Sequence, residues 1–75
     1  MKIDTRDLFW LVAVFPEEDG SEVYLYRTAE GEEIEIYDND LEGLRDKTSP
    51  FCLVKTPDGG EKAVFMSGDF ELELD

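Results

Sequence analysis

Residues 22–37 read EVYLYRTAEGEEIEIY. Tyr24 and Tyr26 recur at period two before Ala29-Glu30-Gly31, and Ile34 and Ile36 recur at period two after it. That period marks two strands, and a short connection carrying glycine marks a hairpin between them. With Gly31 in the left-handed region, the turn sets Arg27 opposite Glu33, Tyr26 opposite Ile34 and Tyr24 opposite Ile36. A slip of one residue would set the tyrosines against glutamates, so the first register is expected.

The same reading extends outward. FCLVKT (51–56) and EKAVFMS (61–67) flank Pro57-Asp58-Gly59, which suits a type I turn closed by a left-handed glycine. Lys55 then faces Glu61, a favourable cross-strand pair, with Leu53 opposite Ala63 and Phe51 opposite Phe65. FELEL (70–74) alternates cleanly. A turn near Ser67-Gly68-Asp69 brings Phe70, Leu72 and Leu74 onto the face of Ala63 and Phe65. The expected core face is Tyr24, Tyr26, Ile34, Ile36, Phe51, Leu53, Ala63, Phe65, Phe70, Leu72 and Leu74.

LFWLVAVF (8–15) is apolar on both faces, which predicts a central strand buried on both sides. Its faces divide as Leu8, Trp10, Val12 and Val14 against Phe9, Leu11, Ala13 and Phe15. In DNDLEGLRDK (38–47), Leu41 and Leu44 stand at i, i+3 behind an Asp/Asn cap, the mark of one or two helical turns. Asp4 to Asp7 could cap a further turn. The expected fold is all-β with one short helix: six antiparallel strands in a strongly bent sheet or small barrel, forming one domain over residues 1–75.

The 75 residues hold one cysteine, Cys52, and no histidine. No internal disulfide can form, and the common zinc ligand sets cannot be assembled. Ser or Cys nucleophilic catalysis lacks its usual base, so no enzyme activity is expected. Asp38-Asn39-Asp40-Leu41-Glu42-Gly43 opens like a calcium loop, but Ser49 stands where such a loop needs its bidentate glutamate. No metal or cofactor is expected. The apolar run at 8–15 is too short to span a bilayer, and acids rather than bases precede it, unlike a signal peptide. A cytoplasmic protein with no membrane contact is expected.

Charge carries the remaining information. Formal net charge is −13, beyond the magnitude of about 2–8 that keeps a small domain soluble. Residues 17–42 hold eleven acids against Arg27, whereas 45–62 hold four bases and three acids. Such a surface excludes direct nucleic-acid binding, which rests on Lys and Arg. It suits a basic partner, whose encounter it steers.

In size and acidic composition the chain resembles the small DNA-mimic inhibitors that phages and mobile elements make against restriction and CRISPR enzymes. That resemblance implies an anti-CRISPR-like inhibitor of a basic, nucleic-acid-binding protein. The alternatives are an immunity or antitoxin-like protein that neutralises a basic toxin, and an accessory subunit whose charge serves solubility. The expected partner-binding residues are Glu17, Glu18, Asp19, Glu22, Glu30, Glu32, Glu33, Glu35, Asp38, Asp40 and Glu42. Cys52, Val54, Val64 and Met66 fall on the outer side, with Val23, Leu25 and Tyr37 among the acids. Together with the two-faced strand, that apolar surface implies a homodimer.

Overall fold

The computed structural model describes residues 7–68 and 70–74. Six strands form where the alternation places them. β1 (Trp10–Pro16), β2 (Glu22–Arg27) and β3 (Glu33–Tyr37) pair antiparallel in that order. β4 (Phe51–Lys55), β5 (Glu61–Phe65) and β6 (Glu71–Leu74) make a second three-stranded antiparallel sheet. The fold is all-β.

Both hairpin registers agree with the expectation. Tyr26 stands opposite Ile34, Tyr24 opposite Ile36 and Arg27 opposite Glu33. Phe51 stands opposite Phe65, Leu53 opposite Ala63 and Lys55 opposite Glu61. Thr56 N donates to Gly60 O at 3.0 Å to close the second hairpin. Gly59 in that turn lies at φ 91°, a conformation that a Cβ disfavours. In the third connection Ala63 faces Leu72, which returns the last strand to the same core face.

The two sheets meet at a seam. Phe9 N donates to Phe51 O at 2.8 Å, and Phe51 N returns the bond to Phe9 O at 3.1 Å. The two rings stack with centroids 4.9 Å apart and planes 5° from parallel. Phe51 also meets Tyr26 edge-on at 5.0 Å and Phe65 at 5.0 Å. Pairs of this kind add roughly 0.5–1.5 kcal/mol each beyond the area they bury. Around them pack Ile36, Leu41, Leu44 and Ala63, all buried, and Leu11, Ile34, Leu53, Phe70, Leu72 and Leu74, partly buried. The Tyr26 hydroxyl donates to the Lys47 carbonyl at 2.7 Å, so its one polar group is satisfied inside the core. Burial, with Tyr24 and Asp46 nearby, pushes its pKa up to about 12.

Three expectations need correction. The apolar strand is not central. β1 is an edge of its sheet, and Trp10, Val12, Val14 and Phe15 are exposed. A bulge between Leu11 and Ala13 leaves Val12 unmatched and reverses the faces beyond it, so Val14 pairs with Tyr24 and Phe15 with Val23. An extra residue in one strand does this because side chains alternate with a period of two.

The helix reduces to one 3-10 turn over Asp38–Leu41, with Tyr37 at its N-cap and no side-chain cap bond. Extended Glu42 ends it, and Gly43 at φ 99° lets the chain turn so that Leu44 N donates to Leu41 O at 3.0 Å. Leu41 and Leu44 are both buried as expected. The third correction concerns the outer side, where Val23 and Cys52 are buried. Of the turn expected at Asp4 to Asp7, residues 4–6 lie outside the described residues.

Replacing Phe51 with alanine should cost about 3–5 kcal/mol through lost burial and the cavity left behind. A domain of this length holds on the order of 4–11 kcal/mol in all. Urea unfolding followed by far-UV circular dichroism should show a midpoint shifted far toward zero denaturant. The same change at exposed Met66 should leave the midpoint close to the parent value.

Candidate functional site

β3 presents alternate residues outward. Ile34 and Ile36 pack on the core, so Glu33, Glu35 and Tyr37 face solvent. The turns at either end of this sheet carry the remaining acids. Of the eleven expected partner-binding residues, ten are exposed and Asp38 is half-buried.

The structure does not gather them into one patch. Glu17, Glu18 and Asp19 sit in the β1–β2 connection and, with Ser21, Tyr37 and Asn39, line a shallow depression of about 410 Å³. Asp38 and Asp40 stand beside it in the 3-10 turn that follows Tyr37. Glu30 and Glu32 lie at the opposite end, in the β2–β3 turn. There they border a second hollow of about 240 Å³ with Asp7, Thr28 and Cys52. The six residues of β2 separate these ends, a span of about 17 Å at the usual strand rise. Glu22 begins β2 and Glu33 and Glu35 lie on β3 between the two ends, while Glu42 directly follows the 3-10 turn.

Two of the acids are locally compensated. Arg27 grips Glu33 across the hairpin, its Nε donating to Oε2 at 2.6 Å. Lys47 Nζ lies 3.5 Å from Asp38 Oδ1 and also 5.8 Å from the centre of the Tyr24 ring. The Arg27 pair follows from the hairpin register. The Lys47 pair does not, because it depends on how residues 42–49 fold back across the sheet. On the second sheet Lys62 pairs with Glu71 at 2.9 Å and Lys55 faces Glu61. Uncompensated negative charge therefore concentrates on the first sheet and its turns.

Asp19 is held in place by its own loop. Ser21 donates to its Oδ1 from the backbone N at 2.9 Å and from the hydroxyl at 2.6 Å. These bonds hold its carboxyl below the usual 3.8, the hydroxyl contributing most. Thr48 does the same for Asp46, and Thr56 with the Gly60 amide for Asp58. These short motifs rigidify three connections while keeping their carboxylates charged.

Tyr37 and Asn39 were not among the expected site residues, although both line the acidic depression. The outward series Glu33, Glu35, Tyr37 was the signal that could have found the tyrosine. Among the described residues no group of three or more Asp, Glu or Cys gathers as a metal site. No described helix is long and apolar enough to cross a membrane. No protein-family model, curated protein or solved structure matches the chain.

The depressed Asp19 carboxyl has a defined pH signature. A carboxylate stabilised in the folded state contributes stability above its unfolded pKa, and that contribution is lost as pH falls through the lower folded value. Carboxyl-carbon NMR should place the Asp19 midpoint below 3.8, the ordinary value. Ser21→Ala should move it back upward. A midpoint unmoved by that change would mean that Ser21 is not the cause.

Proposed function

We propose that this chain is a binding protein, not an enzyme. It acts in the cytoplasm as an inhibitor that occupies the nucleic-acid-binding groove of a basic protein. The observation that carries this reading is the segregation of charge. Residues 17–42 hold eleven acids and one base, nearly all displayed on one sheet and its turns, while the second sheet's bases are matched by acids.

The physics of the fit is a matter of length scale. Same-face residues on a strand recur at about 6.6–6.8 Å, and neighbouring strands lie about 4.8 Å apart. Phosphates advance about 3.4 Å along the axis on each DNA strand. A rigid sheet with acidic turns about 17 Å apart offers a groove carboxylates at spacings comparable to those of a short stretch of backbone. The carboxylates attract the groove's lysines and arginines over a distance set by screening, roughly 8–10 Å near physiological salt. The ordered Asp19 loop and the Arg27–Glu33 pair limit the conformational entropy lost on binding.

Affinity capture on the immobilised chain should enrich basic nucleic-acid-binding proteins, released by raised salt and displaced by duplex DNA. Capture of proteins that DNA does not displace would point to a basic toxin or to a structural partner instead. Once a partner is purified, Glu32→Lys with Glu35→Lys should weaken binding by about tenfold or more, equivalent to at least 1.4 kcal/mol. Glu71→Lys with Glu73→Lys should do much less. Equal losses from the two pairs would show that only total charge matters, and affinity that is indifferent to salt would contradict electrostatic recognition.

A further inference from the structure

The acidic surface leaves one region of the same sheet unused. Trp10, Val12, Val14 and Phe15 are between 42% and 48% exposed. All four lie on β1, at the sheet edge opposite β3. Residues 8–16 form the longest charge-free stretch of the chain. Among the described residues, β1 makes its backbone ladder with β2 alone, and Phe9 just before it is the only point of pairing with the second sheet. Residues of β1 whose side chains would be buried in a central strand therefore stand in solvent.

We propose that this strip is a self-association surface, occupied by a second copy of this chain packed β1 against β1 about a two-fold axis. Charge selects that occupant and that geometry. A chain of net charge −13 repels its copies, so they can approach closely only where neither presents acids. The β1 edge is such a place. With β1 edges adjoining, the two β3 strands stand about five strand spacings apart, roughly 24 Å, well beyond the screening length of roughly 8–10 Å.

The acidic Glu17–Asp19 connection follows directly on β1. An antiparallel arrangement sends the two copies of this connection to opposite ends, about 20 Å apart along the strands. Each then lies toward the other copy's Trp10 end, where Arg27, the sole base of residues 17–42, stands beside Trp10. A parallel arrangement would bring the acidic connections together.

The size of the strip sets the strength. Two half-exposed aromatic rings, Trp10 and Phe15, contribute on the order of 200 Å², with the valines adding to it. A stable interface takes roughly 800 Å² from each partner. The contact is therefore modest and belongs to micromolar or higher concentrations. The bulge at Val12 and the absence of an N–H at Pro16 interrupt any long intermolecular ladder. Side-chain packing carries the contact, with Trp10 and Phe15 as its largest anchors.

This inference does not depend on the proposed inhibitor function, and salt separates the two. Screening relieves repulsion between copies, so the dimer tightens as salt rises while a complex with a basic partner weakens. Sedimentation equilibrium of the full chain should show a monomer–dimer equilibrium whose dissociation constant falls about tenfold from low to high salt as screening sets in. Emission from Trp10, the only tryptophan, should shift to the blue with concentration in high salt.

Val14→Glu places like charges across the axis and should weaken the dimer about tenfold or more, about 1.4 kcal/mol. Met66→Glu, at an exposed apolar site off the strip, should leave it within about twofold, or about 0.4 kcal/mol. Far-UV circular dichroism checks that both variants fold. If Val14→Glu does not fold, the Trp10 shift in the parent protein still decides. A monomer at high micromolar concentration in high salt would overturn the proposal. So would a dimer that Val14→Glu leaves intact, or one that Met66→Glu disrupts equally.

Discussion

Phe9 and Phe51 join the two halves of this molecule. Among the described residues, their reciprocal backbone bonds are the only ladder contact between the two sheets. Their stacked rings, with Tyr26 and Phe65, fill the centre of the core. A three-stranded sheet with one apolar face is close to the smallest that holds together, and it needs something to pack on. Here each sheet supplies that for the other. Leu41 and Leu44 pack against the same cluster from the connection between the sheets, so even the 3-10 turn owes its placement to it.

Against this core stands the charge. Surface carboxylates at this density repel one another, and neighbouring like charges on strands cost roughly 0.2–1 kcal/mol each. Two of the acids on the first sheet are offset locally, Glu33 by Arg27 and Asp38 by Lys47. The others have no such partner among the described ion pairs. The seam therefore sustains a fold that its own surface opposes, which gives the acids a cost that solubility alone does not require. The proposed recognition of a basic groove would account for that cost, and for its concentration on one sheet. The neutral β1 edge is the complementary feature of the same division.

The sequence was most legible where turn chemistry and cross-strand pairs reinforced each other. Pro57-Asp58-Gly59 and the Lys55–Glu61 pair define one register, and Arg27–Glu33 with the tyrosine–isoleucine pairs defines the other. It was least legible in LFWLVAVF. Every residue there is apolar, so no change of polarity marks the bulge at Val12 or separates an edge strand from a central one. Leu41 and Leu44 signalled burial correctly, but their spacing fits a single 3-10 turn as well as a longer helix. The chain leaves the helical conformation at Glu42, and Gly43 with its positive φ turns it back so that Leu44 bonds Leu41. Exposure of the acids followed from alternation. Their division between two ends of a sheet follows from hairpin geometry, and the pairing of Lys47 with Asp38 needed the folded chain.

The most direct test of this balance is the thermal unfolding midpoint as sodium chloride is raised, at low protein concentration where the chain is monomeric. Screening shortens from about 30 Å at 0.01 M salt to about 10 Å at 0.1 M, which should relieve repulsion within the acidic sheet. The midpoint should climb steeply over that range and then level off. A midpoint that stays flat or falls would mean that the acids impose no cost on the fold, and would remove the reason for assigning them a binding role.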